Sequence, residues 1–475
     1  MFTKVLIANR GEIALRVARA CRELGVRSVA VYSTVDKDSA VVGYADEAVQ
    51  IGPGPSKRSY LSMPAIIESA LLTGADAIHP GYGFLSEDPY FAEACAANGI
   101  TYIGPPADVI ARLGDKVAAR TLMAEVGVPM LPGSLAPVRT VDEAKAIVDQ
   151  IGLPVIIKAA AGGGGRGMSV VREESEFARA YRETRAAAQA LFGDSRVYVE
   201  RYLERGRHVE IQVLADAHGQ VVQLGERDCS TQRRHQKLVE ESPAPGLPEH
   251  VRKAMGEAAV RGAQAAGYVG AGTFEFLVDE AGGFYFMEVN CRIQVEHPVT
   301  EMVTGIDLVQ EQIRIAAGER LRLRQQDVFA RGASIECRVN VEDPDRGFVP
   351  SPGLLEEFVP AGGPFVRVDT HGFPGYRVPA DYDSLLAKVV VWAPDREQAI
   401  ERMRRALAEF RIAGPGVRTT SAFLAELIDD PVFRSGEHTT SIVEDVLAAR
   451  SGDRLELART RRRPSEEEVP ARQAA

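Results

Sequence analysis

From Glu288 to Glu296 the chain alternates without a break. Glu288, Asn290, Arg292, Gln294 and Glu296 are polar, and Val289, Cys291, Ile293 and Val295 between them are apolar. Alternate side chains of an extended chain share one face. The stretch MEVNCRIQVEH therefore predicts a strand with one apolar face and one face of carboxylates, amides and a guanidinium. A solvated strand face would carry the same pattern, so the preceding segment matters. Thr273–Val278 and Phe284–Val289 flank the turn-like Asp279-Glu280-Ala281-Gly282-Gly283. Paired as a hairpin, these segments set Glu275 opposite Glu288. Directly opposed like charges repel, and a cation between them relieves the repulsion. Oxygen-only ligands argue for Mg²⁺ or Mn²⁺ over zinc. Mg²⁺ held by one or two carboxylates usually shares its shell with phosphate. The chain is thus expected to contain a nucleotide phosphate site.

A length of 475 residues predicts about three domains. The net charge of −10 argues against general nucleic-acid binding. No apolar run approaches the ~20 residues of a membrane helix, and the N-terminus runs into a strand without a signal-peptide pattern. The five cysteines are scattered with no CxxC pair, which fits reduced thiols in a cytoplasm and argues against a zinc site.

The start reads β-α-β: strand Lys4–Ala8, helix Glu12–Leu24, strand Ser28–Tyr32. A helix around Met63–Leu72, a strand Ala75–Ile78 and a helix around Tyr90–Asn98 follow. Strands alternating with helices predict a parallel, doubly wound sheet. The first turn, Asn9-Arg10-Gly11, lacks the glycines of a dinucleotide fingerprint, so no NAD site is assigned. A helix is expected from near Asp115 to Val126, then a Pro/Gly-rich hinge at Val128–Pro137, then a compact α+β segment to Leu203. Strands Val209–Leu214 and Val221–Leu224 precede the hairpin. A helix at Val303–Ala317, strands Ile335–Val341 and Asp383–Trp392, and an amphipathic helix Arg396–Phe410 follow it. The stretch from about Gly452 is expected to be a disordered tail.

Several segments carry chemistry. Gly162–Gly167 matches GxGxxG, but β-prone Met168–Val171 follows where a dinucleotide site needs a helix. The loop reads either as a plain hairpin loop or as a flap whose backbone N–H groups, at Gly163, Gly164 and Gly165, approach phosphate oxygens. Lys158 ends the preceding strand and could reach the same phosphates. The Walker pattern is absent, so this is not a P-loop. Arg227–Lys237 (RDCSTQRRHQK) concentrates five basic side chains. It reads as a solvated patch or, in an acidic protein with a phosphate site, as an anion cradle. His79–Glu87 (HPGYGFLSE) leaves the C-terminal end of a strand, where α/β sheets bind ligands.

Taken together, ANRGEIA at Ala8–Ala14, HPGYGFLSE, the Lys158 strand with its glycine loop, RHVEIQV at Arg207–Val213, RDCSTQRRHQK, GAGTFEF at Gly270–Phe276 and MEVNCRIQVEHPVTE resemble biotin carboxylases, which are ATP-grasp enzymes. The likeness runs in order from about Phe2 to Leu447. It implies an α/β and α+β multidomain fold: an N-terminal Rossmann-like domain (1–114), an ATP-grasp domain (115–318) with a mobile lid at about 130–203, and a C-terminal domain (319–449), leaving a tail at 450–475. The resemblance further implies that Lys116, Lys158, Glu200, Leu203, His208, Gln232 and His235 contact the nucleotide. It assigns Glu275 and Glu288, with Asn290 beside them, to one or two Mg²⁺ or Mn²⁺ ions. It assigns Arg292, Gln294, Val295 and Glu296 to bicarbonate, with Glu296 as the base; Tyr82 and Arg338 to biotin; and Lys237 to catalysis. The implied reaction is ATP-dependent carboxylation of biotin through carboxyphosphate.

Ala380 and Asp381 depart from the proline-aromatic pair common in the family, and Cys291 from its Thr or Pro. No Ala-Met-Lys-Met biotinylation sequence occurs. The expectation is a free-standing, homodimeric subunit served by a separate biotin carboxyl carrier protein and a separate carboxyltransferase, the acceptor being an acyl-CoA or pyruvate. The competing readings are another ATP-grasp ligase working through an acyl phosphate, and a non-catalytic nucleotide-binding subunit.

Overall fold

The computed structural model describes residues 1–161 and 167–451. Its N-terminal part is a parallel sheet of β1 (Lys4–Ile7), β2 (Arg27–Ser33), β3 (Glu47–Gly52), β4 (Ala77–His79) and β5 (Thr101–Tyr102). The strand order is β3-β2-β1-β4-β5. Successive residues of β1 point into different cores. Val5 and Ile7 pack with the helix Gly11–Glu23, and Leu6 packs with the helices Met63–Thr73 and Pro89–Ala97. Apolar residues on both faces are what a sheet covered on both sides requires. The order reverses between β1 and β4, so the turns after these two strands leave side by side at the switch point where such sheets bind ligands. Asn9 ties the turns together, its Nδ2 donating to the carbonyls of Pro80 and Tyr82 at 2.7 Å each. Gly81 has φ +64°, and a Cβ there would meet the Asn9 amide at 2.8 Å. The close approach of the two turns therefore needs glycine.

An eight-stranded sheet forms the body of the molecule. It contains β9 (Arg207–Ala215), β10 (Val221–Arg233), β11 (Gln236–Ser242), β12 (Gly270–Val278), β13 (Phe284–Asn290), β14 (Ala333–Asn340), β15 (Val366–Thr370) and β16 (Leu385–Ala393), in the order β13-β12-β9-β10-β11-β14-β16-β15. The β11–β14 ladder joins the central strands to those of the C-terminal part, so the expected boundary at 318/319 does not interrupt the sheet. Above it sits a small sheet of β6 (Val155–Ala159), β7 (Met168–Val171) and β8 (Val197–Arg201), in the order β7-β6-β8, with its own core built on Phe177, Tyr181, Val155 and Ile157. The Pro/Gly-rich stretch read as a hinge links the two sheets. Met130 bridges to Phe286 on β13 and Gly133 to Glu200 on β8.

Four expectations need correction or limits. The alternating strand stops at Asn290, and residues 291–296 are not in the ladder. β13 is an edge strand whose last partner is Thr273. The Cys291 N–H donates to Glu87 instead of to a strand, and Pro298 begins a helix at His297–Thr304 with Glu296 as its N-cap residue. The single helix expected at Val303–Ala317 is two, His297–Thr304 and Leu308–Ala316. They part at Gly305, φ +72°, and Asp307 caps the second by accepting from the Gln310 N–H. The basic stretch Arg227–Lys237, read as a patch or a cradle, is the end of β10, a two-residue turn and the start of β11. Gly163, Gly164 and Gly165, and the tail beyond residue 451, lie outside the described residues; the glycine stretch does join two antiparallel strands, β6 and β7, as expected. Among the described residues no helix is long and apolar enough to cross a membrane.

Candidate active site

The ladders place a row of charge across four neighbouring strands. Glu288 on β13 faces Glu275 on β12, Glu275 faces Glu210 on β9, and Glu210 faces Arg227 on β10. Neighbouring strands lie about 4.8 Å apart, so three carboxylates stand side by side and need counter-charge. Lys237 Nζ supplies much of it, reaching Glu210 at 2.7 Å, Glu275 at 3.0 Å and Glu296 at 2.6 Å. Lys116 Nζ holds Glu288 at 2.8 Å and His208 Nε2 holds Glu275 at 3.1 Å. Burial works against the charge of Lys237, yet the acidic groups around it hold its pKa well above the usual lysine value. It stays an ammonium and cannot serve as a base. His208 is likewise raised: burial is the largest influence and lowers it, but Glu275 and Glu210 together outweigh it.

A cleft of about 2110 Å³ opens over this row. Tyr82, Lys116, Lys158, Glu200, Leu203, His208, Gln232, His235, Lys237, Glu275, Glu288, Asn290, Arg292, Gln294, Val295 and Arg338 all line it. Every described residue expected in the site is thus brought to one cavity except Glu296, which lies fully buried beneath it. Glu296 is held by Lys237 and by Arg338 Nη2 at 3.0 Å. Burial would raise its carboxyl, but Lys237, Arg338 and Arg227 hold it well below the usual carboxylate range.

At one end of the cleft, Lys116 opens the helix Lys116–Glu125, whose N-cap Asp115 accepts from the Val117 and Ala118 N–H groups. Glu200 is buried and holds both Lys158 and Arg120, the latter at 2.8 Å. It anchors the lysine from behind. Gly133 lies so close to β8 that a Cβ would meet the Val199 carbonyl at 2.4 Å. The tip of the β10–β11 hairpin puts Arg234 at φ +48° and His235 at φ +66°. Non-glycine residues there cost about 1–3 kcal/mol each, and the strained turn presents both side chains to the cleft.

The basic stretch is not one cradle. Arg227 is fully buried and donates to Glu210, Gln212, Thr300 and Thr273 at 2.6–3.1 Å. Arg233 donates to the Gly347 carbonyl and lies over the Phe348 ring. Composition grouped these arginines with Arg234, His235 and Lys237; the burial of Arg227 beneath the carboxylate row and the seat of Arg233 on Phe348 take them out of the cleft.

At the far end, Arg292 is anchored by Glu87 at 2.9 Å and touches Asn290 Oδ1 at 3.0 Å and Gln294 Oε1 at 3.3 Å. Tyr82 donates to Glu12, which pairs with Lys388 at 3.0 Å, and Lys388 donates to the Val295 carbonyl at 2.8 Å. Glu12, Glu87, Arg120, Glu210 and Lys388 were given no role from sequence. Glu210 had a signal: His208, Glu210 and Gln212 alternate with apolar residues, as Glu288 and Asn290 do. The others are joined to the site only by tertiary contacts.

The oxygen-only donors of Glu275 and Glu288, in a row with surplus carboxylate, suit Mg²⁺ or Mn²⁺. Asn290 fits less directly. Its Nδ2 donates to Glu275 at 2.8 Å and its Oδ1 is taken by Arg292.

Comparison with known proteins matches three domain families in order. These are the N-terminal domain of biotin carboxylase over residues 1–110, the ATP-binding domain of the carbamoyl-phosphate synthase L chain over 115–324, and the C-terminal domain of biotin carboxylase over 336–445. A biotin carboxylase of Nostoc sp. is 54% identical over 445 residues, covering 94% of this chain and 99% of the relative. A pyruvate carboxylase subunit of Methanothermobacter thermautotrophicus is 52% identical, covering 94% and 90%. The crystal structure of the biotin carboxylase domain dimer of Hydrogenobacter thermophilus 2-oxoglutarate carboxylase, with MgADP, ADP and bicarbonate, superposes with a TM-score of 0.90 at 49% identity, covering 94% and 98%.

Proposed function

The chain belongs to the biotin carboxylase family, and we propose that it carboxylates biotin on a separate carrier protein as the first half-reaction of an acyl-CoA carboxylase. It is an ATP-dependent ligase that uses Mg²⁺ and bicarbonate. The observation that carries the residue assignments is the meeting of Lys237, Arg338 and Glu296 at the end of the carboxylate row.

Bicarbonate is a poor electrophile. A bicarbonate oxygen attacks the γ-phosphorus of ATP, ADP leaves, and the product is carboxyphosphate. Lys116, Lys158 and Lys237 hold phosphate oxygens and stabilise charge on the transferring group. A divalent cation held by Glu275 and Glu288 supplies further positive charge to the phosphates. Arg292, Gln294 and the fixed backbone at Val295 hold bicarbonate. Glu296 takes its proton. With both Lys237 and Arg338 upon it, Glu296 is a weak base. Phosphate and biotin drawing these cations toward themselves return its basicity as the substrates assemble. Carboxyphosphate breaks to CO₂ and phosphate, phosphate removes the ureido proton of biotin, Arg338 stabilises the enolate oxygen, and the nitrogen adds to CO₂. Tyr82, fixed by Glu12, borders the biotin end.

A pyruvate carboxylase component is the second reading, favoured by the Methanothermobacter relative. A homodimer is the assembly favoured by the Hydrogenobacter structure. A cytoplasmic location accords with five buried, unpaired cysteines. Capture of partners with the tagged chain, probed for biotin, tests the partner assignment. The expected result is a biotinylated carrier accompanied by an acyl-CoA carboxyltransferase. A pyruvate-specific carboxyltransferase in its place would contradict the acyl-CoA reading.

A further inference from the structure

The β11–β14 register sets Glu240 directly opposite Glu336. Both are fully buried, and none of their four carboxyl oxygens has a hydrogen-bond partner. Such groups are costly to bury, and opposed like charges add to the cost. Cations flank the pair. Arg338 Nη2 lies 2.6 Å from Glu240 Oε1, off hydrogen-bonding alignment, and 3.0 Å from Glu296 Oε2. Lys388 on β16 is fully buried and pairs with Glu12. The same environment includes Lys237 on β11, Arg227 and Cys229 on β10, Asp369 on β15, and Glu296 and His297 at the start of the helix above. The opposite face, at Val239, Cys337 and Val389, packs on apolar residues of the helices Arg396–Glu409 and Ser421–Asp429.

We propose that Glu240 and Glu336 are positioning residues for Arg338: beneath it, as a carboxyl–carboxylate pair, they hold the guanidinium between Glu240 and Glu296, where it meets biotin. This rests on the reading of Arg338 as the biotin-facing cation. Two opposed buried carboxyls titrate together and do not both ionise readily. Burial, only partly offset by Lys388, pushes Glu336 well up, and burial against the pull of Arg338 pushes Glu240 to about 7. Glu336 therefore keeps its proton through neutrality. Glu240 releases its proton near neutrality and then grips Arg338. Below that pH Glu240 is neutral, Glu296 alone holds the guanidinium, and Arg338 is drawn away from biotin.

The test is the ratio of free-biotin carboxylation to bicarbonate-dependent ATP cleavage, measured in one preparation from about pH 6 to about pH 9. In wild type the ratio rises with a midpoint near 7. In Glu240→Gln it is about tenfold lower at high pH and the rise is gone. In Glu336→Gln the midpoint stays within about half a pH unit of wild type, because the amide is uncharged like the protonated carboxyl it replaces. A flat wild-type ratio, a Glu240→Gln profile like wild type, equal loss of both reactions in that variant, or a Glu336→Gln midpoint lower by about half a pH unit or more, which would show Glu336 ionised across this range, overturns the proposal. If Glu240→Gln does not fold, the wild-type and Glu336→Gln profiles decide. Wild type that fails to carboxylate biotin at all would instead contradict the functional reading.

Discussion

In the proposed reaction Glu288 and Arg338 divide the chemistry between them, and each can be removed without emptying the core, since both border the cleft. Glu288→Gln keeps the shape and removes the charge that Lys116 and a divalent cation would share. Its kcat should fall on the order of 10²-fold with Mg²⁺ while the unfolding midpoint stays within experimental scatter. Wild-type turnover would remove the metal assignment. Arg338→Ala should cost biotin carboxylation about 10²-fold and bicarbonate-dependent ATP cleavage under about tenfold. Equal loss of both would show its role is misplaced. At this scale the sequence was informative where strands alternate. Glu275 opposite Glu288 follows from hairpin register alone, and the ladder contains that pair. Arg227 misled, because a run of basic residues does not reveal which of them face inward. The buried partners Glu12 and Lys388 lie far apart in the chain, and no local pattern joins them.

Elements set the angles at which these residues meet. The helix Lys116–Glu125 carries at its first position Lys116, the lysine proposed to hold phosphate, and Asp115 caps it. Asp115→Ala should lower stability by about 1 kcal/mol, measured by denaturant unfolding. It should also raise the KM for ATP more than it lowers kcat, because the frayed turn carries Lys116. Unchanged KM with the expected destabilisation would separate the cap from the site. In the N-terminal sheet β1, β2 and β4 and the helices between them were legible from strong apolar periods, whereas β3, with its mixed polar residues, and the two-residue β5 were not. The end of β13 was not. Polar alternation continues to Glu296 in the sequence, but the edge strand runs out of partners at Asn290 and Pro298 starts a helix. The residues expected on one strand face still converge, through a turn that folds Glu296 beneath the cleft.

Across the whole molecule, the continuous eight-stranded sheet makes the site a joint product of the central and C-terminal strands. Asp228 on β10 reinforces that union: it pairs with Arg207 at 2.7 Å and with His438 of the C-terminal part at 3.3 Å, fully out of water. Burial would raise its carboxyl, but Arg207 and His438 hold it far below the usual carboxylate value. A depressed carboxyl contributes stability that is complete above its unfolded pKa of about 3.9 and is lost as pH falls toward the folded value. Asp228→Asn should therefore lose about 3 kcal/mol at neutral pH, and its stability should approach that of wild type only in strong acid. A constant difference at all pH would contradict the ionic account. The chemistry of the assembled cleft is tested most directly with radiolabelled bicarbonate. Purified chain with ATP, Mg²⁺ and free biotin should form acid-labile labelled carboxybiotin, with ATP cleavage that requires bicarbonate and rises with biotin. ATP cleavage indifferent to both bicarbonate and biotin, with no label on biotin, would contradict it.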